Sequence, residues 1–244
     1  MHSRRTRLDR FISEHSGINK RDVRLLLAQG RVQVDGANAA SIHQAVDQFS
    51  HVVFDGQVLQ SDRPVYVMLH KPVGVVSATK DDKHRTVIDL LDRPDRHQLH
   101  IVGRLDLNSS GLLLLTNDGR WSRQLTSPEN EVTKVYRVTL ANPISTDRVD
   151  DYVEAFAQGM YFPFEDITTR PAGLRVISEH VAEVTLEEGR YHQIKRMFGR
   201  FRNPVIGLHR RAIGALDLDE TLLPGQSREL SEQEAGVLGD VAKL

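Results

Sequence analysis

The sequence predicts an α+β fold in two domains, and three observations predict it. Residues 7–29 carry apolar side chains at helical spacing, interrupted at Ser16-Gly17. Ser61-Asp62-Arg63-Pro64 is polar and breaks the chain before a series of strand-like segments. Ile101–Gly119, read IVGRLDLNSSGLLLLTNDG, sets two apolar runs on either side of an Asn/Ser/Gly cluster, the pattern of two strands joined by a turn. The first domain is accordingly set at residues 1–60 and the second at 61–244.

The elements follow in order. Leu8 to His15 forms one helix. A second is capped by Asn19, runs to Gln29 and stops at Gly30. Lys20, Arg21 and Arg24 fall at helical spacing and share a face. Arg31–Gly36 is a strand entering a turn, His51–Phe54 is another, and Asp55-Gly56 turns the chain again. Val65–Leu69 alternates as a strand, Pro72 breaks it at an edge, and Val75–Ala78 resumes it. Thr86–Leu91 makes a short helix. After the 101–115 hairpin, Trp121 opens a helix and belongs to the core. Lys134–Leu140 alternates cleanly, with Val135 and Arg137 on one face and Tyr136 and Val138 on the other. Val149–Ala157 is a helix ended by Gly159, and strands follow at Arg175–Ile177 and Ala182–Leu186. Ile194, Met197, Phe198 and Phe201 stand at i, i+3, i+4 and i+7, a helix with an apolar core stripe from which Gln193, Lys195, Arg196 and Arg200 point away.

Composition narrows the function. The chain of 244 residues has no cysteine, so neither a disulfide framework nor a thiolate metal site is available. The N-terminus lacks an apolar signal region and no run reaches membrane-spanning length, which points to a soluble, cytoplasmic protein. A formal net charge of −1 hides two basic concentrations. Residues 1–30 hold seven Lys/Arg (Arg4, Arg5, Arg7, Arg10, Lys20, Arg21, Arg24) against three acids, and Arg190–Arg211 holds seven with none. Acidic residues dominate from Asp217 to Asp240. Local basic clusters in a neutral protein suit contact with phosphate. Phosphate-loop and dinucleotide motifs are absent, and His97 and His100 lack a third metal ligand nearby.

Taken alone, Asp106 ahead of Asn-Ser-Ser-Gly reads as a turn former. Yet GRLD, followed after a short gap by GLLLLTNDG, resembles the active-site segment of the RsuA-type pseudouridine synthases. KPVGVVSAT (71–79), the Lys-x-Tyr strand at 134–136, EGRYHQIKRMF (188–198), HRRAIG (209–214) and LPGQSREL (223–230) extend the likeness over most of the chain. The N-terminal RLDRFISEHSGINKRDVRLLLAQGRVQVDG resembles the small helical alpha-L RNA-binding module first described in a small-subunit ribosomal protein.

The resemblance implies a catalytic domain with a mixed, mainly antiparallel sheet. It implies site-specific isomerisation of a uridine to pseudouridine in small-subunit ribosomal RNA, by base flipping and cleavage and re-formation of the glycosidic bond. Asp106 would be the catalytic residue, as nucleophile or as the base that starts glycal formation. Tyr136 would lie against the target base. Lys195 would be the cation beside Asp106, where related synthases often carry Arg; Arg196 could share or take that role. Arg104 would grip the backbone beside the vacated stack, and Ile194 and Arg196 would also contact substrate. Arg7, Lys20, Arg21, Arg24 and Arg31 would hold RNA by phosphate and shape. No cofactor and no metal are implied. The partner would be ribosomal RNA or a partly assembled small subunit, met by a monomer. The rival readings are a synthase for large-subunit RNA, a non-catalytic assembly factor, and a two-carboxylate glycoside hydrolase, for which only one carboxylate here has a motif.

Overall fold

The computed structural model describes residues 5–240, so Arg4 of the basic N-terminal cluster lies outside the described residues. The chain divides into two compact units. One runs through Val65 and takes in Asp118–Arg120; the other holds Tyr66–Asn117 and the chain from Trp121 onward. The division follows the exposed 61–64 segment, which belongs to no helix or strand.

The first unit is itself α+β, two helices and an antiparallel sheet that includes the strands expected near Arg31–Gly36 and His51–Phe54. Helix α1 (Leu8–Ser16) buries Leu8, Phe11 and Ile12, and α2 (Val23–Ala28) buries Val23 and Leu26. These meet Val32, Val34, Val46 and Val52 in one apolar cluster. Four antiparallel strands supply the other layer, in the order Ala37–Asn38, Val32–Val34, Val52–Phe54, Gln57–Gln60. Asp35-Gly36 and Asp55-Gly56 close its two hairpins with both turn residues at positive φ, the two-residue loop that suits twisted strands. Asn19 does not cap α2. Its Oδ1 accepts the Arg21 N–H at 3.1 Å and its carbonyl accepts the Asp22 N–H, which makes a turn and delays the helix to Val23. Lys20 and Arg21 therefore stand on that turn, and only Arg24 on the helix.

The second unit is built on one mixed sheet of nine strands. In chain order these are β1 (Tyr66–Lys71), β2 (His100–Val102), β3 (Ser110–Thr116), β4 (Lys134–Leu140), β5 (Gly173–Ser178), β6 (Val181–Leu186), β7 (Val205–Ile213), β8 (Leu216–Asp217) and β9 (Ser227–Glu229). The spatial order is β5-β6-β4-β7-β3-β1-β9, with β8 on β7 and β2 on β3. Every pairing is antiparallel except β3 with β7, which meet in parallel at Ser110–His209 and Gly111–Arg210. Val75–Ala78 is not a strand; only Val76 forms a bridge, to Thr86.

Leu112 to Leu115 are all fully buried, because helices and loops cover both faces of β3. Each such leucine contributes about 2 kcal/mol of burial. Met68, Leu112 and Leu114 pack with Trp121 and Leu125 of α3 (Gly119–Thr126) and with Leu238 of α6 (Glu232–Asp240). The Trp121 Nε1–H donates to the Ala235 carbonyl at 3.0 Å and ties the two helices together. Helix α4 (Val149–Gln158) packs on β5, and α5 (Gln193–Gly199) on β7. α5 stops before Phe201, whose ring instead stacks on Tyr152 at 3.8 Å. No helix among the described residues is long and apolar enough to cross a membrane.

Arg228, on β9, joins the segment before it to α6. Its Nε donates to Asp219 at 2.6 Å and its Nη2 to Glu234 at 2.7 Å. Hydrogen bonds from Thr221 and then Arg228 hold the Asp219 carboxyl down to about 2; for Glu234, Arg228 and then Ser231 hold it down to about 2. Both carboxyls are depressed below their unfolded values, so the stability they confer is present above about pH 4.5 and is lost as pH falls toward 2. Arg228→Ala should lower the melting temperature at pH 6, and the gap from the parent should narrow between about pH 4.5 and 2; melts followed by circular dichroism across that range measure it.

Candidate active site

The loop between β2 and β3 carries Asp106. β1 covers one edge of β3 from Gly111 to Thr116; along the other edge β2 pairs with Leu114–Thr116 and β7 with Ser110–Gly111. The 103–109 loop thus leaves the sheet where one neighbour of β3 ends and the next begins. Gly111 makes this junction possible. It sits at φ +111°, and a Cβ there would lie 2.2 Å from the Arg210 carbonyl oxygen and 2.6 Å from its nitrogen.

Three groups hold the loop's main chain. Lys71, at the end of β1 and fully buried, donates from Nζ to the carbonyls of Pro72 (3.0 Å), Asp106 (3.0 Å) and Ser109 (2.7 Å). An ammonium has three donors, and each finds an acceptor. Burial pushes the Lys71 pKa down to about 8, against the opposing pull of the Asp106 charge. Ser77 brackets Leu105: its Oγ–H donates to the Leu105 carbonyl at 2.7 Å, and Oγ accepts the Leu105 N–H at 3.1 Å. The Gly74 N–H donates to the Leu107 carbonyl. The KPVGVVSAT segment is therefore a clamp on residues 105–109. Arg210, also buried, adds Nε to the Leu112 carbonyl at 2.8 Å and Nη1 to the Arg104 carbonyl at 3.5 Å.

The Asp106 carboxylate emerges from this clamp about one-third exposed. Its Oδ2 lies 3.2 Å from Lys195 Nζ and 3.2 Å from His192 Nε2. Its Oδ1 makes no hydrogen bond among the described residues. Lys195 is on α5, and His192, at φ +50°, is the residue that turns the chain into that helix. Buried Glu188 fixes this turn. Its Oε1 accepts from Gln193 Nε2 (2.7 Å) and the Arg170 N–H (2.9 Å), and its Oε2 accepts from Arg190 Nε (2.8 Å). Gln193, expected off the apolar stripe, is buried for this purpose.

Tyr136 is buried on β4, in register with Arg210, whose guanidinium reaches the Arg104 carbonyl. Arg104 is exposed and Ile194 buried. Arg196 is turned away: its Nη2 pairs with Glu165 at 2.5 Å and its guanidinium lies 3.9 Å over the Phe162 ring, so Lys195 alone of the two adjoins Asp106. In the N-terminal unit, Lys20, Arg21 and Arg24 are exposed, and none of them makes an ion pair among the described residues. Arg7 is held by Asp9 at 2.6 Å, and Arg31 by Asp55 through both Nε (2.7 Å) and Nη2 (2.5 Å). Sequence reasoning missed Lys71, His192 and Arg210, though all three lie within segments that carry the resemblance.

Comparisons with known proteins find relatives over nearly the whole chain. Residues 65–199 match the family described as RNA pseudouridylate synthase. The chain is 48% identical over 229 residues, 93% of this chain and 98% of the other, to the ribosomal small subunit pseudouridine synthase A of Pseudomonas aeruginosa. It is 43% identical over 228 residues, 93% and 97% of the two chains, to the protein of that name from Vibrio cholerae. A solved structure described as a crystal structure of pseudouridylate synthase superposes with a TM-score of 0.68 at 37% identity, covering 95% of this chain and 99% of its own.

Lys71→Met would keep the stem's length and remove the ammonium from three main-chain carbonyls, of which only that of Asp106 keeps another donor, the Ser109 N–H. Loss of about 3 kcal/mol of unfolding free energy is expected, read from the urea midpoint at constant m.

Proposed function

The chain belongs to the RNA pseudouridylate synthase family, and we propose that it converts one uridine of small-subunit ribosomal RNA to pseudouridine at Asp106. The observation that carries this reading is the carboxylate itself. It is held by its main chain, partnered on one oxygen by Lys195 and His192, and open to a ligand on the other. Relatives named for the same small-subunit activity support the substrate class.

The reaction breaks the bond between C1′ of the ribose and N1 of uracil, turns the base, and joins C1′ to C5; C5 then gives up its hydrogen as a proton and N1 takes one up. It is redox-neutral and needs no energy source. The uridine first leaves its stack, at a cost of about a few kcal/mol. Arg104, exposed beside the hairpin, takes the vacated place and grips the backbone; Ile194 and Tyr136 shape the uracil pocket, with the tyrosine ring against the base. Asp106 Oδ1 then meets the ribose, either attacking C1′ or removing a proton toward a glycal. Both routes start from the same free oxygen, and both need the other held still. Lys195 does this as a point charge, with less directional constraint than a guanidinium fork. Lys20, Arg21 and Arg24, with Arg7 and Arg31, give the first unit a basic surface for structured RNA, free or within a partly assembled small subunit. The protein acts as a monomer in the cytoplasm.

Asp106→Asn preserves shape and removes the charge. Tritium release from small-subunit RNA labelled at uridine C5 should fall about a thousandfold or more, with RNA affinity within about twofold of the parent. Substantial turnover by the variant would refute the assignment, and a carbodiimide map of the RNA identifies the modified uridine. Replacing Lys20, Arg21 and Arg24 together by Gln should weaken RNA binding and reduce the slope of log K against log salt by about 2.

A further inference from the structure

The sheet carries a second feature beside Asp106. Ser110, His209 and Arg137 stand side by side across β3, β7 and β4, since Ser110 pairs with His209 and His209 with Arg137. By strand alternation this row faces away from Tyr136. These three side chains line a cavity of about 660 Å³, within the range of small-ligand sites. Lys195, whose ammonium holds Asp106, lines it too, so the cavity is continuous with the proposed catalytic site.

Its chemistry is that of a nucleotide pocket. Two cations and no carboxylate line it. Arg137 is exposed and its side chain makes no hydrogen bond or ion pair among the described residues; Glu183, opposite it on β6, goes to Arg175 and Arg211 instead. Ser110 Oγ and His209 Nδ1 are joined at 3.0 Å, which leaves the imidazole Nε2 for a ligand. Burial, reinforced by His70 and Arg137, lowers the His209 pKa and keeps a neutral ring suited to a base edge. Val73 and Ile206, large apolar side chains 59% and 68% exposed, stand at the rim, where a planar base would cover them. Gly207 keeps the floor open, since a Cβ there would press to 3.1 Å on the Thr139 side chain.

We propose that this cavity holds the nucleotide next to the target uridine on the same strand. Its base lies against Val73 and Ile206, its edge meets His209 and Ser110, and its phosphate meets Arg137. The proposal rests on the uridine-isomerising reading and adds how the strand beside the flipped residue is recognised.

The test uses the full chain and a small-subunit RNA fragment containing the mapped uridine. Arg137→Ala and Ile206→Ala alter exposed side chains, so folding is not at issue. Each should raise KM for tritium release at least about fivefold, with kcat retained. Removing the base of one flanking nucleotide, on the 5′ or the 3′ side, should raise KM for the parent by a similar factor and add nothing to Ile206→Ala. Unchanged KM in the variants, or base removal and Ile206→Ala multiplying independently, would overturn the proposal. If the parent releases no tritium from this RNA, the proposed function fails instead. The cavity is then judged by Kd for the same intact and abasic RNAs. A fivefold loss shared by base removal and Ile206→Ala supports it, and equal Kd values overturn it.

Discussion

A buried ammonium is the constraint on which the rest of this molecule depends. Lys71 gives up water for three main-chain carbonyls, two of them on the loop that presents Asp106. A buried cation is tolerated only where such acceptors converge, so the loop can close in few other ways. Ser77 and Gly74 then fix the intervening residues, and Arg210 anchors the strand that follows. The carboxylate is aimed by its backbone before any side chain touches it.

The opposing half of the site is built with equal economy. Glu188 is buried with a donor on each oxygen and turns the chain into α5. That turn brings His192 and, one helical turn later, Lys195 onto a single oxygen of Asp106. The two halves come from segments nearly ninety residues apart. They are joined through β7, whose Arg210 lies under the loop and whose Gly207 and His209 floor the neighbouring cavity.

Much of the fold was legible in the sequence, because local patterns report burial. The apolar run at 112–115 read as a strand and is one, and the alternation at 134–140 put Tyr136 and Arg137 on opposite faces, of which the Tyr136 face is buried and Arg137 exposed. Capping was less legible. Asn19 has the chemistry of a cap and of a turn, and nearby geometry decided for the turn. Least legible were groups whose partners are remote. Lys71 looked like part of a proline bend, since its acceptors lie 35 and 38 residues further on. Lys195 and Arg196 could be separated only by helical phase against a carboxylate whose direction no local pattern encodes. His192 stood inside a quoted motif, and only its distance to Asp106 marked it out.

The order of the strands carries a consequence for biosynthesis. β1 is among the first strands of its unit to leave the ribosome, yet its outer edge is covered by β9, nearly the last. Until residues 227–229 emerge, a row of unpaired backbone groups faces solvent beside the strand that ends in Lys71. The nascent enzyme therefore depends on residues 227–229 to seal the catalytic sheet, and a chain truncated before them would expose an edge ready to pair with a neighbour.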